Sequence, residues 1–115
     1  MKFEEKGMLG PLAITEVGQY VLRDYIGVYI LSRDRKKVDY VGRSDSDIQG
    51  RLRSSISEGH GYQVFWFCYE TSSMQAYKHE CYLYHKYNPP DNTNHPAVPS
   101  GMNWRCPTNG CPWGL

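Results

Sequence analysis

Between Tyr25 and Ser32 the chain reads YIGVYILS, a run of β-branched and aromatic residues that predicts a strand. The polar stretch SRDRKK fits a hairpin loop, and KVDYVGR reads as the partner strand. Side chains alternate faces along a strand. Tyr29 therefore shares a face with Gly27 and Leu31, and Tyr40 with Val38 and Gly42. The glycines weaken both strands and leave room beside the rings, which implies a close approach to the backbone there. The period then changes. Ile48, Leu52 and Ile56 recur every four residues and predict a helix within SDSDIQGRLRSSISEG. Ser44 and Ser46 are candidate N-caps, Asp47 suits the first turn, and Glu58-Gly59 ends the helix. Arg51 borders the apolar stripe.

The segment 63-QVFWFCYE-70 is apolar through its middle and predicts a strand buried on both faces. A second helix is expected from Ser72-Ser73 to about Tyr87, where Asn88-Pro89-Pro90 stops it. Met74, Tyr77, Cys81 and Tyr84 form its inner face. Glu80 lies between Tyr77 and Tyr84, a carboxylate among rings, and burying it costs on the order of a few kcal/mol unless a cation or donor meets it. Before the first strand, Gly10-Pro11 signals a turn, and LAITEVGQYVL reads as a short helix or an extended arm. The expected organisation is an arm over 1–22, an α+β domain over 23–94 and an irregular cysteine-containing tail over 95–115.

Composition narrows the class. The chain has 115 residues, 40% of them hydrophobic, which suits one globular domain. Ten tyrosines give a small core many hydroxyl handles. A net charge of +1 supplies no broad basic field, although Arg33, Arg35, Lys36 and Lys37 crowd the hairpin loop. The apolar runs are too short to span a bilayer and MKFEEKGMLG has no signal-like core, so an intracellular protein without a membrane partner is expected.

GVY, then YVG, then a helix with DIQGRL, then a glutamate-bearing helix ending in ECYLYHKYNPPDN together resemble the GIY-YIG nuclease family. The ordered series over about residues 25–92 is more specific than any one triplet. The resemblance implies a three-stranded antiparallel sheet flanked by helices. It also implies a DNA endonuclease that uses Mg²⁺ or Mn²⁺ and leaves a 5′-phosphate. By the same resemblance Tyr29 and Tyr40 are the motif tyrosines, Gly42 the second motif's glycine, Arg51 the catalytic arginine, Glu80 the metal-binding glutamate and Asn92 the closing asparagine. Arg43 stands where relatives often place a lysine. One departure is Ser55, where relatives commonly carry tyrosine or histidine one turn after the arginine; His60 and Tyr62 are near in sequence but off that spacing.

The residue types suit the chemistry independently. Phosphodiester hydrolysis needs charge stabilised on the phosphate, an activated water and a stabilised leaving oxygen. A single carboxylate such as Glu80 can hold Mg²⁺ when waters and phosphate oxygens complete the shell. The planar donor fork of Arg51 matches phosphate oxygens. Tyr29 or Tyr40 can orient water or act as base, and Arg43 and Arg53 can contact DNA phosphates. The plainer reading makes the tyrosines cross-strand packing, Arg51 and Glu80 a salt bridge and Asn92 a turn residue. A non-catalytic module on this fold that binds nucleic acid or a protein partner is the alternative function.

The tail has its own pattern. Cys106 and Cys111 have four residues between them, within zinc-ligand spacing, and Cys81 and His85 are at i and i+4 on the second helix. Together they form a possible Cys₃His structural zinc set, with His95 or His79 able to replace one ligand. A Cys106–Cys111 disulfide and four unrelated thiols, with Cys68 and Cys81 in the core, are the other readings.

Overall fold

Strand alternation sorts the core into two layers on either side of one sheet. The computed structural model describes Glu5 and residues 7–114. Its elements are β1 (Leu9–Ala13), a 3₁₀ turn (Ile14–Glu16), α1 (Val17–Tyr20), β2 (Gly27–Ser32), β3 (Tyr40–Ser44), α2 (Ile48–Ser57), β4 (Val64–Tyr69), α3 (Ser73–Tyr87) and a 3₁₀ turn (Pro112–Gly114). The sheet is antiparallel throughout, in the order β1-β4-β2-β3. On one face Tyr29, Leu31, Phe65 and Phe67 pack with Val17 and Val21 and with Ile48 and Leu52 of α2. On the other, Val28, Ile30, Val41 and Trp66 pack with Ala76 and Leu83 of α3. The hairpin places Tyr29 opposite Gly42 and Leu31 opposite Tyr40.

The sheet has four strands, not three. The expected Gly10-Pro11 turn lies within β1, which pairs with β4 across a register shift between Leu9 and Leu12. Proline is tolerated there because β1 is an edge strand. Gly10 has a φ of +145°, and a β-carbon on it would lie 2.6 Å from the Trp66 ring and 2.7 Å from the Phe65 carbonyl oxygen. The glycine-proline pair thus lets the arm press against β4. Val38 also departs from expectation: it precedes β3 and packs on the α3 face, away from Tyr40.

Helix α2 keeps its stripe, with Ile48 and Leu52 buried and Ile56 partly so. Its N-cap is Asp47 rather than a serine; the Ser44 hydroxyl instead accepts from the Asp47 and Ser46 amides. On α3 the buried set is Ala76, Tyr77, Glu80, Cys81 and Leu83, so Met74 and Tyr84 are only partly covered. The helix serves two layers: Ala76 and Leu83 face the sheet, while Tyr77 and Cys81 pack with Cys106, Cys111, Val98 and Trp104. No helix among the described residues is long and apolar enough to cross a membrane.

Candidate functional site

The hairpin register sends Arg43 toward the α3 side, because it sits opposite Val28, whose side chain packs in that layer. There its Nη1 donates to Glu80 Oε1 at 2.7 Å. Its Nη2 donates to the Ala97 carbonyl at 2.7 Å, and its Nε to Asp45 at 3.1 Å. Arg51 and Glu80, from different helices, share with Arg43, Ser44, Asp45, Ser46 and Ala97 a pocket of about 400 Å³. Burial raises the Glu80 carboxyl above its usual range; Arg43 beside it, and more weakly Arg51, oppose that rise. The salt bridge foreseen as a plain reading for Arg51 and Glu80 therefore belongs to Arg43 and Glu80.

The two tyrosines meet Arg51 from the sheet. Their ring centroids are 6.2 Å apart. Tyr29 is fully buried, and its hydroxyl lies 2.7 Å from Ser55 Oγ. Burial pushes the Tyr29 phenol strongly upward and that of Tyr40 upward as well, while the Arg51 guanidinium beside both pulls in the opposite sense. Glu80 is close enough to Tyr40 for its charge to reinforce the rise. Tyr29 is thus a protonated, enclosed group that positions its neighbours and Tyr40 is half-buried; both stand beside Arg51, and neither ring is part of the pocket lining. Gly42 is required by this packing: a β-carbon there would sit 2.5 Å from the Tyr29 hydroxyl oxygen and Cζ.

Ser55 is the residue whose role the sequence left unread. The position carries a buried hydroxyl that satisfies that of Tyr29. Tyr62 does not take that place; its hydroxyl donates to Asp91, which also pairs with Arg33. His60 instead offers its carbonyl to Arg33 Nε.

Two expected site residues lie elsewhere. Asn92 accepts from the Val41 amide and donates to the Val41 carbonyl, both at 2.9 Å, so it continues the hydrogen-bond ladder on the exposed side of β3. Together with the Asp91 amide bound to the Asp39 carbonyl, it covers a sheet edge, outside the pocket lining. Arg53 extends across Gly18 of α1 and donates weakly to Gln49, outside the pocket lining. In the hairpin loop, Asp34 accepts from the Lys36 and Lys37 amides, Arg33 is held by Asp39 and Asp91, and Lys37 Nζ lies 3.8 Å from Asp39.

All four cysteines are free. His85, His95, Cys106 and Cys111 bring one donor atom each within 4.8 Å of all the others. Cys81 is not in this set. It is fully buried between Tyr77 and Cys106, because its position on α3 points it into the helix–tail core, and His95 supplies the fourth donor. His79, on another side of α3, joins Cys68 and Glu70 instead.

For a hard divalent cation at the pocket, the oxygen donors present are the Glu80 carboxylate and, at the rim, Asp45. One Glu80 oxygen is engaged by Arg43 and a carboxylate has a second, so the donor set is compatible with a cation that completes its shell with water and phosphate oxygens. No protein-family model, curated protein or solved structure matches the chain.

Proposed function

We propose that the protein is a metal-dependent endonuclease that hydrolyses DNA phosphodiester bonds in the Arg43–Arg51–Glu80 pocket. The supporting observation is that the Glu80 carboxylate and two guanidinium groups, from α3, β3 and α2, line a common cavity together with Asp45, with two phenols against Arg51. Arg51 offers a planar donor fork to the scissile phosphate and stabilises the charge that develops on its oxygens. Glu80 is the residue that holds Mg²⁺ or Mn²⁺, which supplies Lewis-acid polarisation and an activated water when bound. Tyr40, beside Arg51, would orient such a water through its hydroxyl, and its raised pKa keeps it protonated at neutral pH. Tyr29, locked to Ser55, holds Arg51 in place. Arg43 balances the Glu80 charge in the resting state and is the second phosphate-binding cation once DNA enters.

The test is nicking of supercoiled plasmid with Mg²⁺ or Mn²⁺ by the wild-type protein, Glu80→Ala and Arg51→Ala. Metal-dependent nicking lost in both variants supports the reading, and equal nicking by all three proteins removes it.

One observation favours a second reading. The Glu80 carboxylate is already paired at 2.7 Å in a buried ion pair, an arrangement that also suits a non-catalytic DNA- or protein-binding module. That module would bind DNA with a steep salt dependence and show no metal-dependent cut.

A further inference from the structure

We propose that His85, His95, Cys106 and Cys111 bind one zinc ion that fastens the C-terminal tail to α3 and, two residues beyond His95, fixes the Ala97 carbonyl that holds Arg43 at the pocket. The distances favour a metal. His85 Nε2 and His95 Nε2 are 3.3 Å apart, and Cys111 Sγ is 3.4 Å from His95 Nε2. Donors bound at about 2.0–2.1 Å for nitrogen and about 2.3 Å for sulfur around a tetrahedral zinc lie roughly 3.3–3.8 Å from one another.

The tautomer agrees. His95 Nδ1 lies 2.8 Å from the Pro96 carbonyl, which can only accept, so the ring proton is on Nδ1 and Nε2 presents a lone pair. A ligand imidazole is commonly fixed by such a backbone partner. Trp113 stacks on the same ring, with centroids 4.6 Å apart and planes 10° from parallel, and so braces it from the tail side. The remaining thiols, Cys106 and Cys111, are nearly buried and unbridged. The tail between them has few aliphatic residues, and a metal supplies the crosslink that its small core lacks.

The second cluster shows the contrast. Glu70 Oε2 and His79 Nδ1 are 2.6 Å apart, closer than two ligands on one metal stand and normal for a charge-assisted hydrogen bond, with Cys68 donating to the same carboxylate. That group is held by direct hydrogen bonds among its own members.

The link to the pocket is short. His95 is a ligand, Pro96 carries the carbonyl that sets its tautomer, and Ala97 accepts from Arg43 Nη2 at 2.7 Å. Metal loss frees the tail and with it one of the three acceptors that aim Arg43. The metal assignment does not depend on the nuclease reading; the coupling to Arg43 deepens it.

The experiment measures metal content of the purified full-length protein and of Cys81→Ser, His95→Ala, His95→Cys and Cys111→Ser, then substitutes Co²⁺ and records its absorption. About one equivalent of zinc is expected in the wild type. Cys81→Ser and His95→Cys retain it, His95→Ala and Cys111→Ser lose it, and Co²⁺ gives a tetrahedral spectrum with thiolate charge-transfer bands. Failure of the wild type to take up zinc or Co²⁺, or loss of metal from Cys81→Ser with retention in His95→Ala, overturns the assignment. For the coupling, the Arg43 Nε–Hε resonance is followed while zinc is removed without DNA present. A shift is expected, and an unmoved resonance refutes the link. Neither readout involves cleavage, so a negative plasmid assay leaves both results interpretable.

Discussion

Arg43 Nη1 lies 2.7 Å from Glu80 Oε1, and both side chains are about nine-tenths removed from solvent, at 11% and 10% exposure. The pair joins the sheet edge to α3 at the wall of the pocket. Removing one member of such a buried pair strands the other charge. Arg43→Ala is expected to cost on the order of 3 kcal/mol. Arg43→Ala combined with Glu80→Gln is expected to be more stable than Arg43→Ala alone. Urea unfolding of the four proteins in a double-mutant cycle checks this, and additive losses would remove the pair as a unit.

The same carboxylate sets a pH dependence. Because burial raises the Glu80 pKa in the folded state, the folded protein binds this proton more tightly than the unfolded chain does. Its contribution to stability is therefore fully present below the unfolded value of about 4.3 and is lost as pH rises through the folded value. Asp34 and Asp91, whose carboxyls are held low, contribute in the opposite direction. The difference in unfolding free energy between wild type and Glu80→Gln isolates the first effect, since both proteins carry the rest. Wild type is expected to lose stability relative to Glu80→Gln as pH is raised from about 4.3. A difference that grows in favour of wild type over that interval would show that Glu80 is stabilised as an anion.

Gly42 faces Tyr29 with no space for a methyl group. Tyr29 is fully buried and its hydroxyl is held by Ser55, so the ring has nowhere to move. Gly42→Ala is expected to destabilise by roughly 1–3 kcal/mol through overpacking. Thermal unfolding tests the magnitude. Ser55→Ala should be destabilising too, because it leaves a buried phenol one partner short.

Asn92 carries two hydrogen bonds to the Val41 backbone. Asn92→Ala is expected to cost about 1–2 kcal/mol. Hydrogen exchange should quicken at the Val41 amide, while Mn²⁺ affinity at the pocket stays within about twofold, a change under roughly 0.5 kcal/mol. A large loss of Mn²⁺ binding with unchanged exchange would return Asn92 to the site.

The sheet hairpin, α2, β4 and α3 were legible because each carries a strong local signal: Tyr25–Ser32 is a run of β-branched and aromatic residues, Ile48 and Leu52 repeat, QVFWFCYE is apolar through its middle, and Asn88-Pro89-Pro90 stops α3. Strand β1 was not, because LGPLA has no alternation and is strand only through close contact of Gly10 with β4. The order of motifs pointed to Arg51, Glu80 and the tyrosines as one group; Arg51 and Glu80 line one pocket, whereas the tyrosines stand beside Arg51 outside its lining. The Arg43–Glu80 pair did not follow from that order, since it depends on which face a β3 residue occupies, and that is set by the register with Val28. Likewise helix spacing favoured Cys81 with His85, whereas the fold turns Cys81 inward and brings His95 across from a loop with no periodic signal. Spacing along one helix predicts which side chains share a face, not which loop returns to it.

The central claim is that Glu80 is the carboxylate of a divalent-cation site in the pocket shared with Arg43 and Arg51. Mn²⁺ titration of the zinc-saturated protein, read by electron paramagnetic resonance of free and bound ion, tests it most directly. The account predicts one Mn²⁺ site in the wild type, tightened by a short DNA duplex and lost in Glu80→Gln. Equal Mn²⁺ binding by wild type and Glu80→Gln would contradict it.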